Sequence, residues 1–363
     1  MESGNVRSVV IVGAGLSGLT CAVRLARKGF KVTVVEKNTY PGGLLASARV
    51  GKEYLELMPH HLRKSDKALL SLAKEMGVAD QIEWFDALFF GKAAKKKVGY
   101  FKSGFVTLIN SLAQTLVDNG GTILYSTTVY KISKKPRTDD RTVYSIWLAL
   151  NDSSHTIECD YLLYTGSCRN FATLSGDLNM DMDVRDALMD IKYQNRITLM
   201  MTLKKNCSEV YFQYMKDAMT SFSRIVFHSN CFGLRDYGGH VVYLVGSCDL
   251  SDPLWISADA DIMDKYFKEF RKTYPGIKKS DIKAWRLTRI RYALSDKYPT
   301  RDLTNPAPHI FVCSSGLTHF GTDEVPENRM DHVVALSNRI SEKIVSEADS
   351  ELSEHEAVIP LIN

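Results

Sequence analysis

A glycine-rich loop near the start of the chain has the spacing that binds the diphosphate of a dinucleotide. It is the G-x-G-x-x-G motif Gly13-Ala14-Gly15-Leu16-Ser17-Gly18. In this motif Gly13 permits a tight turn, Gly15 lets the backbone approach a pyrophosphate, and Gly18 lets the following helix lie close to the strand before it. The motif alone is weak evidence, so its value depends on the residues and elements around it.

An acidic residue and a second glycine pair follow the loop. Glu36 comes directly after the apolar run 31–35 and is placed to accept hydrogen bonds from both hydroxyls of an adenosine ribose. Its negative charge would repel a 2′-phosphate, which disfavours NADP. The next segment brings glycine backbone against the ligand again, which suits a cofactor that extends beyond the adenosine, as FAD does. That segment is Lys37-Asn38-Thr39-Tyr40-Pro41-Gly42-Gly43-Leu44.

Strands and a helix position this motif. Residues 8–12, SVVIV, form a β-branched apolar run that predicts a strand buried on both faces. Residues 16–28 carry apolar side chains at helical spacing, and Gly29 stands where such a helix would end. With the strand 31–35 they form one βαβ unit, whose helix N-terminus offers backbone N–H groups to phosphates.

The rest of the chain alternates between helical and strand-like patterns. Helices are predicted at 65–76, with Ser65 as N-cap, at 105–117 and at 258–273. Alternating runs at 195–204, 209–215, 222–228 and 240–247 predict an antiparallel sheet. Buried strands are expected at 160–165 and 310–316, and an amphipathic helix follows the second of them.

Residues 8–50 strongly resemble the large FAD-dependent family that includes amine oxidases, protoporphyrinogen oxidases, carotenoid desaturases and UDP-galactopyranose mutases. Segments 59–77, 101–132 and 309–340 are similar to the protoporphyrinogen-oxidase-like branch of that family. Many family members have Arg directly after the double glycine, where this chain has Leu44. That departure removes the contact that such an arginine would make with the cofactor.

The resemblance implies further cofactor contacts. It places the backbone of Val129 against the adenine, and Arg329, Met330 and Asp331 near the pyrimidine ring of the flavin, where the dipole of a following helix would stabilise negative charge. Thr165 and Gly166, at the end of the strand 160–165, are further candidate contacts. The FAD is expected to be non-covalent, because neither Cys168 nor Cys313 lies in a matching context for attachment.

The predicted fold class is α/β: a Rossmann-type FAD-binding domain with a second, substrate domain that contains an antiparallel sheet and helices. The FAD-binding domain is discontinuous and takes residues 1–52, 103–168 and 305–350. The substrate domain takes residues 53–102 and 169–304. The flavin ring is expected at the domain junction, where ligand pockets commonly occur.

The expected function is that of an FAD-dependent oxidoreductase, which oxidises an organic substrate by hydride transfer to the flavin. One alternative is a non-redox flavoenzyme, such as a sugar-nucleotide mutase similar to UDP-galactopyranose mutase, or an isomerase. Another is a non-catalytic protein that binds FAD or lipid. The absence of a second G-x-G-x-x-G after a strand disfavours a built-in NADPH domain.

Several polar residues are candidates for the catalytic site. His60 or His61 could serve as an acid–base group, although a pair of hydrogen-bonding histidines is the commoner explanation. Arg289 and Arg291 alternate along one predicted strand, with Tyr292 beside them, and could bind a carboxylate or phosphate; a solvated edge strand is about equally consistent. His319 follows the strand that approaches the flavin and is a candidate for lining the pocket.

The amino-acid composition and net charge of the chain limit the kinds of partner that we expect. The chain has 363 residues, 45% of them hydrophobic, and a net charge of +4, which argues against nucleic acid as a partner. The seven cysteines include no CxxC pair, so we expect no metal site and a cytoplasmic location. The partner is expected to be a small-molecule substrate. Peripheral membrane contact through the lysine cluster 92–97 stays open, although a solvated hairpin is favoured, and the oligomeric state is undetermined.

Overall fold

A computed structural model describes residues 6–135, 143–150, 153–178, 180–215, 220–295, 299–318 and 330–358. The strands of this part of the chain are β1 Ser8–Val12, β2 Lys31–Val35, β3 Ser47–Val50, β4 Glu53–Glu56, β5 Ile82–Ala87, β6 Lys96–Phe101, β7 Thr122–Leu124, β8 Thr128–Lys135, β9 Val143–Leu150, β10 Ser153–Cys159, β11 Tyr161–Tyr164, β12 Tyr193–Leu203, β13 Phe212–Tyr214, β14 Arg224–Phe227, β15 His240–Cys248, β16 Ile282–Ser295 and β17 Ile310–Val312. The helices are α1 Leu16–Ala26, α2 Lys67–Glu75, α3 Val106–Asp118, α4 Cys168–Leu174, α5 Met182–Met189, α6 His228–Phe232, α7 Pro253–Ile256, α8 Asp259–Thr273 and α9 Met330–Val358.

A five-stranded parallel sheet in the order β17-β11-β1-β2-β7 holds the N-terminal motif. Its central strand β1 is apolar and buried: helix α1, which packs on α3 and α9, contacts it, and so does β10 of a separate three-stranded sheet. All five strands end at the same edge, where the glycine loop leaves β1. A ligand at that edge lies at the carboxyl ends of the strands, where open α/β sheets bind their ligands.

The second large sheet is antiparallel, in the order β13-β14-β15-β12-β16. One face packs on α8 through Ile262, Tyr266 and Phe270. The opposite face joins the core of the parallel sheet through Met200, Val226 and other residues. The structure therefore confirms the predicted fold class, a Rossmann-like unit combined with an antiparallel sheet and helices.

Three smaller sheets complete the fold: β10-β9-β8, β3-β4 and β5-β6. The last two are hairpins in a region where the sequence pattern was mixed. Helix α2 begins at Lys67 with Asp66 as N-cap, so the prediction of Ser65 as N-cap was wrong. The carboxylate of Asp66 instead accepts the N–H of Arg63 at 2.7 Å, which closes the turn before the helix. Among the described residues, no helix is both long and apolar enough to cross a membrane.

Candidate functional site

The glycine loop is held by contacts that only glycine permits. Gly13 has φ +110° and donates its N–H to the carbonyl of Val35 at 2.8 Å. A Cβ on Gly13 would lie 2.5 Å from Oγ1 of Thr165, and a Cβ on Gly18 would lie 1.9 Å from the carbonyl oxygen of Gly13. These contacts show the tight turn and the close strand–helix approach that the motif predicts.

The second glycine pair lies directly against the first loop. Gly42 donates its N–H to Ala14 O at 2.8 Å, and a Cβ on Gly43, at φ +58°, would come within 3.1 Å of the Cα of Gly15. Helix α1 begins just after Gly15 and has no side-chain cap at that end. Bare glycine backbone and an uncapped helix N-terminus together form a cradle suited to a diphosphate.

Glu36 is buried, at 5% exposure, and fixes the loop. Its Oε2 accepts the Ala14 N–H at 2.9 Å, and its Oε1 accepts the backbone N–H and the side-chain amide of Asn38, both at 2.8 Å. A carboxylate has about four lone-pair positions, and these bonds use three of them. Glu36 therefore positions the loop and retains capacity for one ribose hydroxyl in addition.

Other predicted cofactor contacts surround this loop. Thr127 donates its N–H to Glu36 O at 2.9 Å, which places the start of β8, with Val129, beside the end of β2. Thr165 donates its hydroxyl to Val12 O at 2.8 Å. A Cβ on Gly166 would lie 2.7 Å from the hydroxyl oxygen of Tyr164. These residues therefore lie at the carboxyl edge of the parallel sheet.

The remaining predicted cofactor residues have varied surroundings. Lys37 is exposed, and Leu44 lies half-buried in a short 3-10 turn, Gly43–Leu45. Met330 is buried at the start of α9, and Asp331 accepts the N–H of Leu69 at 2.8 Å, which joins α9 to α2. The predicted contacts Arg329 and His319 lie outside the described residues.

The two candidate histidines are both buried. Nδ1 of His60 lies 2.7 Å from the carbonyl of Met58, and Nδ1 of His61 lies 3.2 Å from the hydroxyl of Tyr211. Burial lowers the pKa of His60 to about 4 and, together with the charge of Arg63, that of His61 to about 3. Both imidazoles are therefore neutral near pH 7, which disfavours either as a proton donor.

The arginines predicted to share one strand face have different surroundings. Arg289 forms an ion pair with Asp259 at the start of α8. Arg291 is exposed, and the pairing of β12 with β16 shifts register just after Ile290. Tyr292, at φ +54°, packs against Tyr193, whose hydroxyl accepts the N–H of Cys168 at 2.9 Å. Tyr292 thus lies next to the end of β11, and Arg291 points to solvent.

One buried carboxylate, that of Glu56, was not predicted from the sequence. Glu56, at the end of β4, accepts the hydroxyl of Tyr100 at 2.6 Å and the N–H of Phe105 at 2.7 Å. Its backbone carbonyl accepts the hydroxyl of Tyr243 at 2.9 Å, so it joins β4 to the antiparallel sheet. Burial raises the pKa of the Glu56 carboxyl to about 7. The segment that contains Glu56 has mixed polarity and gave no signal of this role.

We expect the protein to lose stability in mild acid. Burial lowers the pKa of His228 to about 3, as it does for His60 and His61, so these imidazoles stay neutral in the folded chain and take up protons on unfolding below about pH 6.5. Glu56 has the opposite effect: with its pKa raised to about 7 it is already protonated in the folded chain, so unfolding above about pH 4.5 releases a proton. The net uptake on unfolding is about two protons, or roughly 3 kcal/mol per pH unit between pH 6 and pH 5.

Urea unfolding at several pH values measures this slope. His61→Gln should reduce it by about one proton, and His155→Gln, at an exposed position, is the matched control. Equal unfolding free energies at pH 7 and pH 5 would show that the three imidazoles are not shielded as described.

Two family models match the chain. Residues 11–76 match the NAD(P)-binding Rossmann-like domain. Residues 82–324, more than half of the chain, match the flavin containing amine oxidoreductase family. The first match covers the glycine loop, Glu36 and both histidines, and the second covers the antiparallel sheet.

Curated relatives match over shorter stretches. An L-amino-acid oxidase of Bothrops pauloensis is 32% identical over 182 residues, which are 48% of this chain and 35% of the relative. An all-trans-zeta-carotene desaturase of Myxococcus xanthus is 52% identical over 50 residues, 14% of this chain and 10% of the relative. The matches therefore span well under two thirds of these relatives.

Solved structures share the fold over almost the whole chain. A protein provisionally named protoporphyrinogen oxidase, from Exiguobacterium sp. 255-15, superposes with a TM-score of 0.76 at 13% identity and covers 96% of this chain and 100% of its own. A putrescine oxidase variant superposes with a TM-score of 0.69 at 12% identity, covering 94% of this chain and 99% of its own. At these identities the likeness establishes the fold alone.

Proposed function

Because the chain belongs to the flavin containing amine oxidoreductase family, we propose that it oxidises a small organic substrate by hydride transfer to a bound FAD. The observation that carries the proposal is the cradle of Gly13, Gly15 and Gly42 beside the buried Glu36. The cofactor of this family is a flavin, and the cradle meets the requirement of its diphosphate for bare backbone N–H groups.

The chain's own residues bind and orient the cofactor in this proposal. Glu36 holds the ribose, and the backbone from Gly13 to Gly15 holds the diphosphate. When bound, the flavin supplies the two-electron acceptor for the substrate. We expect non-covalent binding, since Cys168 and Cys313 are both buried and the thiol of Cys313 lies 3.4 Å from the Ser337 hydroxyl.

The proposal also assigns separate segments of the chain to cofactor binding and to substrate binding. Residues 1–52, 103–168 and 305–350 hold the cofactor, and residues 53–102 and 169–304 bind the substrate. The face of the antiparallel sheet that shares a core with the parallel sheet then forms one wall of the substrate site. The sugar-nucleotide mutase alternative is not favoured, because the matched relatives are oxidases and desaturases.

The proposal is tested on the purified protein. We expect a yellow preparation whose flavin is released by denaturation and chromatographs as FAD. Anaerobic addition of a substrate should bleach the flavin absorbance, and oxygen should restore it. A colourless protein that does not take up FAD would refute the proposal, as would bleaching only by dithionite across a panel of amines, amino acids and other carboxylic acids.

A further inference from the structure

A histidine and two glutamates lie together at the amino-terminal edge of the parallel sheet, opposite the glycine cradle. His309 comes directly before β17, and Glu347 and Glu351 lie one turn apart on helix α9. Nε2 of His309 lies 2.5 Å from Glu351 Oε1 and 3.6 Å from Glu347 Oε1, and the three donor atoms all lie within 4.8 Å of one another. Imidazole nitrogens and carboxylate oxygens are ligands that zinc accepts in proteins.

Neighbouring side chains hold this cluster in place. The His309 ring stacks on that of Tyr161, with the centroids 4.7 Å apart and the planes at 27°. Oε2 of Glu351 pairs with the Arg7 guanidinium group at 2.9 Å and accepts the Tyr161 hydroxyl at 3.3 Å. Because both contacts use Oε2, the other oxygen of Glu351 faces His309. Metal sites use outer partners of this kind to orient their ligands.

The cluster has more carboxylates than arginine or lysine partners. Arg7, which is 8% exposed, compensates for the charge of Glu351. Within the described part of the chain, Glu347 forms no ion pair with a lysine or an arginine. Burial, together with the charges of Glu351 and Glu347, raises the pKa of the Tyr161 hydroxyl above its usual value. Excess negative charge beside an imidazole favours a bound cation.

The distances between the donor atoms suit a tetrahedral ion. At zinc–ligand distances of about 2.0–2.1 Å, neighbouring ligands of a tetrahedral site lie about 3.3 Å apart. The two distances from His309 Nε2, 2.5 Å and 3.6 Å, lie on either side of that value, so small side-chain rotations would bring the atoms into position. The side chains of Glu347 and Glu351 are each 28% exposed, which leaves a path for the ion and room for a water ligand.

We propose that His309, Glu347 and Glu351 bind one zinc ion, or a similar divalent transition-metal ion, with water completing the coordination. The imidazole selects such ions over Mg²⁺ and Ca²⁺, which prefer oxygen ligands. The scattered cysteines gave no indication of a metal site, and this cluster contains no cysteine. The ion fastens the later turns of α9 to the start of β17. Its role is structural, because the cluster lies at the edge of the sheet away from the glycine cradle.

The experiment measures zinc binding to the purified protein after treatment with EDTA and removal of the chelator. ZnCl₂, MgCl₂ and CaCl₂ are each titrated by calorimetry at constant ionic strength, and the thermal midpoint is recorded with and without excess metal. We expect ZnCl₂ to raise the midpoint by about 2 °C or more, because a ligand that binds the folded chain stabilises it. MgCl₂ and CaCl₂ should bind at least about 10-fold more weakly.

Variants identify the ligands. Glu347→Gln and His309→Asn each remove one ligand and should weaken zinc binding at least about 100-fold, because loss of an outer partner alone costs about 10- to 100-fold in metal proteins. His309 has φ +58°, a conformation that asparagine also adopts. Glu342→Gln is the matched control, since it removes the same charge from an exposed position of α9. It should bind zinc like the unaltered chain.

The outcomes distinguish a metal site from a network of ion pairs. Loss of zinc binding in Glu347→Gln and His309→Asn, but not in Glu342→Gln, would support the site. Equal zinc affinity in all three variants, equal binding of ZnCl₂ and MgCl₂, or no zinc binding at all would each overturn it and leave the cluster as ion pairs only. The measurements need no flavin, so a colourless protein, which refutes the proposed function, leaves this test unchanged.

Discussion

Gly15→Val is expected to yield a folded, colourless protein. The residue has φ −80° and ψ −177°, a conformation that valine adopts readily, and its Cβ would come no closer than 3.7 Å to the Cα of Gly43. The fold therefore has room for a Cβ at this position, whereas the diphosphate would lose its approach to the backbone. We expect FAD affinity to fall by about 100-fold or more, equivalent to roughly 3 kcal/mol, as measured by flavin content and by titration of the apoprotein.

Two further glycine variants serve as controls. Gly276→Val adds the same side chain at a glycine with nothing within 4 Å of its Cβ position, and it should retain full flavin content. Gly18→Ala places a Cβ 1.9 Å from the Gly13 carbonyl oxygen, so it should lower thermal stability as well as flavin content. Normal flavin content in Gly15→Val would show that the cofactor does not lie over this loop.

Glu56→Gln is expected to change how stability depends on pH. The pKa of the buried Glu56 carboxyl is raised from 4.5 to about 7, so the protonated form is the one that the fold favours. Its contribution to stability is fully present below about pH 4.5 and is lost as the pH rises through 7. Relative to the unaltered protein, the glutamine variant should gain about 3 kcal/mol between pH 4.5 and pH 8, by urea unfolding.

Matched substitutions define the source of that change. Glu53→Gln removes a carboxylate from the same strand, at a partly exposed position, and controls for general charge effects. Glu56→Leu leaves the Tyr100 hydroxyl and the Phe105 N–H without their acceptor and should cost about 3 kcal/mol or more at pH 5. A constant difference between Glu56→Gln and the unaltered protein across this pH range would contradict a raised pKa.

The cofactor-binding part of the fold was predictable because its sequence motifs are contiguous along the chain. The βαβ unit, from β1 through the glycine loop to Glu36, lies within the first 36 residues, and each of its requirements is local: a buried strand, three spaced glycines and an acidic residue. The order of strands in the antiparallel sheet was beyond prediction, because strand pairing depends on contacts between distant segments. The hairpins β3-β4 and β5-β6 were missed because their short strands carry mixed polarity.

The chain by itself determined the fold class, the flavin family and the glycine cradle, since each follows from residues close together in sequence. Only the tertiary structure decided which charged side chains are buried. Arg224 is a polar residue in an alternating run and Glu56 lies in a segment of mixed polarity, so neither was singled out, whereas Arg289 and Arg291 looked like the substrate pair. Burial arises when distant strands pack, so the sequence could not distinguish the buried charges from the exposed ones.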